Sequence, residues 1–570
     1  MHFRPDRLFA PVLAVAAIAG CATATQTGAG ASSSTSAAIT AADLRQRVFI
    51  YADDSMKGRR AGTEGNMKAT TYIANELRRI GVQPGGENGT YFQNVPMLHL
   101  TSSRTKPIIV DGRSFMPAKD YIGRTAKSFN NVQAIYGGVF GEASMIPPEA
   151  AVGKVVVLAV PKDDAGKPRW SGTRQPSSSR YPRAHSVAIV GMDGMVPSDW
   201  IPLMEEGGDV LNDPANPPDL SQLTAGLGFL YVTNAMGEAM MGGPLSSMQP
   251  GQAGRFIGGG MGYDTSRVVA RNVIGIVQGS DPKLRGQYVA IGAHNDHVGT
   301  TSVVADHDSV KAFNMVALPQ GADSQPRLMT PERIAEFTRI LDSLRRVNRP
   351  KLDSVFNGAD DDASGSMSVL EIAEAFQNAA VKPKRSIIFV WHTAEELGLF
   401  GSEYFTDHPT VPRDSIVAQL NLDMVGRGGA KDLVGRTSDN KDIWGGPDYV
   451  QLVGSRRLST ELGDLIEDVN RQQPRPMTFD YSIDANGHPA NIYCRSDHYS
   501  YARFGIPVTF FTTGGHSDYH QVTDEPQYIE YDHMTRVAML VKNAAERIAN
   551  LDHRVVVDKP KPLPGARCVQ

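Results

Sequence analysis

Two adjacent carboxylates, Glu395 and Glu396, follow an apolar run in the stretch 386–401, S-I-I-F-V-W-H-T-A-E-E-L-G-L-F-G. The run 387–391 reads as a buried strand of a parallel sheet, and in open α/β sheets ligands bind just outside the carboxyl ends of strands. Adjacent glutamates there can divide two tasks, one holding a metal and the other moving protons. A solvated Glu-Glu pair is the alternative, so the partners decide. His294 and Asp296 in A-H-N-D-H, Asp361 in G-A-D-D-D-A-S-G, Asp423 in N-L-D-M-V-G-R and His520 in D-Y-H-Q-V-T-D lie at ends of strand-like runs or in glycine turns. Two imidazoles and several carboxylates suit zinc, which takes nitrogen and oxygen ligands at about 2.0–2.2 Å.

Each has a structural alternative when taken singly. Asp361 reads equally as a loop charge, with Asp360 or Asp362 eligible in its place, Asp423 as a satisfied buried carboxylate and His520 as a surface histidine. Together they point to a cation, because buried unpaired carboxylates are expensive and a cation relieves that cost. His297, His307, His392, His498 and His516 read as packed or exposed histidines, with His516 close enough in sequence to line a pocket. Ser496-Asp497-His498 has the composition of a hydrolase triad, but contiguous residues rarely face one another as a triad must. Cys494 has no supporting nucleophile context, and no H-E-x-x-H helix is present, which argues against thermolysin-type zinc peptidases.

The elements that must position these residues alternate. Strand-like runs at 268–277, 287–291, 386–392, 416–422 and 506–512 are interleaved with helical patterns, including a final one over 534–551 that is apolar at Met534, Val537, Val541, Ala544 and Ile548. Alternation of this kind predicts an α/β fold, a mainly parallel mixed sheet sandwiched by helices. Upstream, Met67, Ile73, Leu77 and Ile80 recur at helical spacing and Gly81 offers the stop. Short β-rich runs at 132–139, 154–160 and 187–190, separated by Gly, Pro and Ser clusters, predict a small inserted β-rich domain serving as lid or spacer. Between His294 and Asp361 lies a long insert. Its Thr330-Pro331-Glu332 start and its apolar Ile334, Phe337, Leu341, Leu344 and Val347 predict an amphipathic helix, a candidate wall or lid near the site.

The chain has 570 residues, long for one domain, with 41% hydrophobic and 21% charged residues. A formal net charge of −4 shows no bulk basicity and argues against a nucleic-acid partner. No internal apolar run approaches the roughly 18 residues that span a bilayer. At the N-terminus Arg4 and Arg7 precede an apolar stretch, 8–18, that meets Ala19-Gly20-Cys21, the order of a secretory signal. Two further cysteines, Cys494 and Cys568, could pair in an exported protein, although spacing does not decide it. The expected organisation is a signal over 1–20, a flexible tether over 21–40, and the first part of the main domain over 41–130. The inserted domain follows over 131–265, the rest of the main domain over 266–553, and a tail over 554–570.

The set resembles the co-catalytic di-zinc exopeptidases that include bacterial leucine aminopeptidase, aminopeptidase S and glutamate carboxypeptidase, which share the order His, Asp, Glu-Glu, Asp, His. The resemblance runs from about Asp53 to Leu551, and within it the inserted segment looks like a protease-associated domain. It implies two zinc ions, one held by His294 and Asp423, the other by Glu396 and His520, with Asp361 bridging. It further implies Glu395 as general base, Asp296 as the group orienting the His294 imidazole, and Tyr519 as the tyrosine that stabilises the oxyanion. The insert between His294 and Asp361 is longer than the resemblance leads one to expect. The N-terminus resembles a bacterial lipoprotein signal, which implies lipid on Cys21 and an exported protein anchored on the periplasmic or cell-surface side. The resulting expectation is an aminopeptidase acting on peptides with a free N-terminus. The alternatives are a carboxypeptidase gripping a terminal carboxylate through Arg427, Arg436, Arg456 or Arg457, and a non-catalytic binding protein on the same fold. Glutaminyl cyclase, which uses one zinc, fits the full ligand set less well.

Overall fold

The central strands of the fold are apolar over most of their length, and that dictates where they sit. Tyr288–His294, Ser386–His392, Ile416–Leu422 and Val508–Thr512 are buried at every position apart from the half-buried Tyr288, as strands covered on both faces must be. They run parallel in the order Val508–Thr512, Ile416–Leu422, Tyr288–His294, Ser386–His392. The flanks are antiparallel where they join this centre. Tyr263–Val277 and then Phe92–Ser102 extend one side, and Tyr449–Val453 the other. The result is a ten-stranded mixed sheet. The computed structural model describes residues 35–123, 125–141, 143–162, 180–196, 204, 208–220, 226–349, 351–563 and 567–570. The expected signal over 1–20, Cys21 and most of the tether lie outside the described residues.

Alternate side chains leave the sheet on opposite faces. Ile387, Phe389 and Trp391 join Val289, Ile291 and Leu420 beneath the helices Ala41–Tyr51, Glu64–Ile80, Gly365–Asn378 and Tyr531–Ala549. Ile388, Val390, Ala290 and Phe510 face the other way, toward Phe405 and Tyr501 of the short helices Phe400–Asp407 and His498–Ala502. Removing one of the fully buried rings, as in Phe389→Ala, costs about 3–5 kcal/mol. On the first face the buried Arg47 ties three helices together. Its guanidinium reaches Glu76 at 2.8 Å and Glu374 at 2.5 Å, and also bonds Glu371.

A second sheet of eight strands is threaded between two neighbouring strands of the first. It runs from Ile108–Val110 to Ala253–Met261, so it takes in chain ahead of residue 131, where the β-rich segment was expected to begin. It has its own core around Phe115, Phe129, Val155 and Leu230. Its entry and exit adjoin, because Ser102 pairs with Tyr263 and Ser103 N–H donates to Gly262 C=O at 2.8 Å.

The expected helix in the insert forms as Pro331–Val347, capped by Thr330, but no residue of it is buried among those described. It packs beside the helix His307–Ala317 and lines no part of the site. The loop before it does that instead. The tail is fastened by a disulfide between Cys494 and Cys568. Among the described residues no helix is long and apolar enough to cross a membrane.

Candidate active site

Parallel register brings the predicted residues to one edge. His294 pairs with His392, so the chain leaves both strands at the same level. There Asp296 and Glu395-Glu396 meet Asp423, which follows the neighbouring strand Ile416–Leu422. The turn that presents the glutamates is tight. Ala394 sits at φ +56°, and a Cβ on Gly401 would lie 2.2 Å from Thr393 O, so only glycine lets the following helix approach. Met424 at φ +57° and His520 at φ +53° are likewise left-handed. Such residues cost about 1–3 kcal/mol each and cluster at functional sites.

The three consecutive aspartates have three different roles. Asp362 is structural: Oδ2 accepts from His294 N–H at 3.1 Å, and Oδ1 from Gly365 N–H and Met424 N–H at 2.9 and 3.2 Å. Asp360 accepts from Gly426 N–H at 2.6 Å and faces His516 at 3.1 Å. Asp361 alone points between two imidazoles, Oδ1 3.0 Å from His294 Nε2 and Oδ2 3.0 Å from His520 Nε2. This turn is held from both sides. Asp524 accepts from the N–H groups of Asp360 and Asp361 at 3.0–3.2 Å, and the buried Arg59 donates to the carbonyls of Asn357 and Gly358 at 2.6 and 2.8 Å.

Two groups of side chains converge on Asp361. In the first, His294 Nε2 lies 3.6 Å from Asp423 Oδ1, and Ser496 donates to the other Asp423 oxygen at 2.7 Å. In the second, His520 Nε2 lies 2.9 Å from Glu396 Oε2. His297, read from sequence as a packed or exposed histidine, also stands here. Its Nδ1 is 2.7 Å from Glu396 Oε1 and 3.7 Å from Asp361 Oδ2. The signal was its place three residues after His294, in the loop leaving that strand. Asp296 is fully buried, but it holds His294 differently from the expectation. The imidazole Nδ1 meets the Asp296 carbonyl at 3.1 Å, while the Asp296 carboxylate, 3.8 Å away, accepts from Glu395 N–H at 3.1 Å. Tyr519 stacks on His520 with ring centroids 4.0 Å apart and faces the same cleft.

The electrostatics of this edge call for a cation. Burial works to lower the His520 imidazole, yet Asp361 and Glu396 outweigh it and lift it to about 10. His294 is likewise opposed by burial but raised well above its ordinary value by Asp423 and Glu395. Imidazoles drawn this strongly toward positive charge mark an anionic cavity. The buried Nε2 atoms of His294 and His520 lack a well-aligned hydrogen bond among the described residues, although carboxylates surround them. Imidazole nitrogen and carboxylate oxygen suit zinc, and two clusters at this edge have the donors for a cation, His297, Asp361, Glu396 and His520 in one and His294, Asp362 and Asp423 in the other. Glu395 is pushed well above the usual carboxylate range, by burial first and then by Asp423 and Glu396 beside it. That suits a group that must take up and release a proton.

Other predicted groups separate. Asp497 pairs with His392 at 3.2 Å, and His498 stacks on Phe510 at 5.0 Å, so with Ser496 on Asp423 the three contiguous residues serve three partners. Among the arginines considered for a carboxylate grip, Arg427 pairs with Asp518 and Asp432, Arg456 with Asp464 and Glu467, and Arg457 with Asp484. Arg436 does line the cleft, paired with Asp442. A further grouping of His307, Asp353 and Glu525 is bridged by the Lys351 ammonium, 2.9 Å from Asp353 and 2.6 Å from Glu525, and is an ion-paired strut.

Residues 272–545 match peptidase family M28. Leupeptin-inactivating enzyme 1 of Streptomyces exfoliatus is 45% identical over 78 residues, 13% of this chain and 18% of that protein. Leucine aminopeptidase 1 of Coccidioides posadasii is 30% identical over 203 residues, 34% of this chain and 47% of that one. The chain thus spans less than half the length of these curated relatives. Among solved structures, the aminopeptidase from Aneurinibacillus sp. strain AM-1 aligns over 92% of this chain and 98% of its own at 15% identity, with a TM-score of 0.45. The zinc aminopeptidase of Bacillus subtilis aligns over 90% and 95% at 16% identity, also with a TM-score of 0.45. The segment that matches peptidase family M28 contains every residue of both side-chain groups around Asp361, from His294 to His520.

Proposed function

We propose that the protein is a zinc-dependent exopeptidase that removes N-terminal residues from peptides. The observation that carries the reading is Asp361, with one oxygen toward His294 and the other toward His520 and with Glu395 alongside. In this reading His294 and Asp423 would hold one zinc and Glu396 and His520 a second, with Asp361 between the two groups and His297 supporting Glu396. Bound zinc polarises the scissile carbonyl and acidifies water.

The protein's own groups do the rest. Glu395 takes a proton from the attacking water as its oxygen bonds to the carbonyl carbon, then returns that proton to the amine nitrogen as the C–N bond breaks. Asp296 holds both the His294 ring and the Glu395 backbone, which fixes acceptor and ligand together. Tyr519 donates its hydroxyl to the oxygen that gains charge. The cleft, about 540 Å³, has apolar walls from Met424, Val434, Ile483, Ile492 and Phe510, suited to an apolar side chain at the first residue. Of the candidate arginines Arg436 alone lines the cleft, and its pairing with Asp442 favours a free-amine substrate over a carboxypeptidase substrate.

Export and lipid attachment at Cys21 belong to the same proposal. They are supported by Arg4 and Arg7, the apolar 8–18 stretch and Ala19-Gly20-Cys21. The eight-stranded sheet is in this view the protease-associated-like insert. The test pairs a free-amine peptide with its N-acetylated twin, with and without a zinc chelator. Chelator-sensitive cleavage of the free-amine peptide alone is expected. Trimming of the acetylated peptide from its other end would replace the reading by carboxypeptidase.

A further inference from the structure

The segment inserted between His294 and Asp361 grips the loop that carries Tyr519 and His520 along its length. Lys311, buried, pairs with Asp518, and Asn314 donates to Gln521 at 3.3 Å. Lys351 reaches Glu525 at 2.6 Å. At Tyr519 itself, Ala322 N–H donates to Tyr519 C=O at 3.0 Å, and Gly321, at φ +52°, approaches so near that a Cβ would lie 2.2 Å from the same oxygen. The next residue, Asp323, accepts from Arg495 Nη1 at 2.8 Å, and Arg495 Nη2 donates to the Tyr519 hydroxyl oxygen at 3.4 Å.

The direction of that last bond matters. A cationic donor on the phenol oxygen leaves the O–H proton free to point into the cleft, and it polarises that proton toward a developing negative charge. The Asp323–Arg495 pair is 47% and 38% exposed at the cleft rim, and such pairs add little stability. Its placement therefore reads as geometric. Arginine's planar fork spans two partners at fixed angles, which lysine does not reproduce.

We propose that Arg495 is a positioning residue for the Tyr519 hydroxyl, and that Asp323, supplied by the insert, fixes Arg495 in that role. The insert thereby completes the oxyanion side of the site. This rests on the reading of the site as a zinc exopeptidase in which Tyr519 serves the oxyanion.

The experiment is a double-mutant cycle on the full chain with a free-amine peptide, with zinc content and melting temperature measured for each variant. Tyr519→Phe should lower kcat about a hundredfold. Arg495→Met should lower kcat about tenfold with KM within about twofold, and Asp323→Asn should do the same more weakly. Arg495→Lys should recover part of the loss. The double variant R495M/Y519F should be no slower than Y519F, because the arginine works through the tyrosine. Zinc and melting temperature should stay at wild-type values throughout. A raised KM with unchanged kcat in Arg495→Met, or multiplied losses in the double variant, would overturn the proposal while leaving the peptidase reading intact. Full activity in Tyr519→Phe, or in zinc-stripped wild type, would instead remove the reading on which it rests.

Discussion

Asp360, Asp361 and Asp362 are chemically identical and sequentially adjacent, and their carboxylates meet different partners because backbone geometry aims each one differently. Asp361→Ala is expected to lose zinc along with activity, since it removes the oxygens facing both His294 and His520. Elemental analysis of the purified variant checks this. The D-D-D run in sequence could place a ligand there but could not choose among the three. His297 was within reach of the same reasoning, and only the course of the loop after His294 brings it to Glu396. Residue chemistry also sets acid stability. Burial against Phe510 and Tyr493 pushes the His498 imidazole down to about 3, so below its ordinary value near 6.5 the unfolded chain binds a proton that the fold refuses. Stability contributed by this group should fall as pH drops from about 6.5 toward 3. Denaturant unfolding of wild type and His498→Gln at pH 7 and pH 4.5 should show the smaller acid loss in the variant. Equal losses would contradict it.

At the scale of elements, the four central strands were legible because each is a short apolar run bounded by turn residues. Their shared edge followed from the fold class. The insert helix was legible too, by its proline start and its period, but its role was not. The pattern of Pro331–Val347 looks amphipathic, yet the cleft is walled by Gln320 and Asp323 before it. Loop walls carry no periodic signal. The same holds for the segment around Ile483, His488 and Ile492, which lines the cleft and is latched from beneath by the tail. Gln570 donates to Ile483 C=O and Ala485 C=O and accepts from Tyr493 N–H, while Cys568 is bonded to Cys494. Cysteine spacing could not reveal that pairing. Closing a loop of 74 residues stabilises by up to about 4 kcal/mol in the chain-entropy account. Cys568→Ser should therefore lower the melting temperature and raise KM for large apolar first residues, with zinc content unchanged. An unaltered KM would show that the latch does not shape the cleft.

For the molecule as a whole, the arrangement is one ten-stranded sheet carrying the candidate site, with a second sheet threaded through a gap between two of its strands. The second sheet's extent was only partly legible, because Ile108–Val110, Arg113–Phe115 and Tyr121–Gly123 have three residues each, too few for alternation to show. Since Ser102 and Tyr263 are already paired, replacing residues 104–261 by a short turn should leave a folded chain with its zinc. The first sheet would lose its edge strand Asp209–Leu211, paired with Met97–His99, and contacts such as Arg60–Asp209 and His408–Asp213. Insolubility or loss of metal would mean that the second sheet is needed to build the first.

The central claim is that Glu395 moves protons at a site whose metals are held by other residues. The most direct measurement is zinc content and turnover of Glu395→Gln beside wild type, using the same free-amine peptide. The account predicts two zinc ions per chain in both proteins and a fall in turnover of about a hundredfold or more in the variant. Full turnover in Glu395→Gln with both zinc ions bound would contradict it.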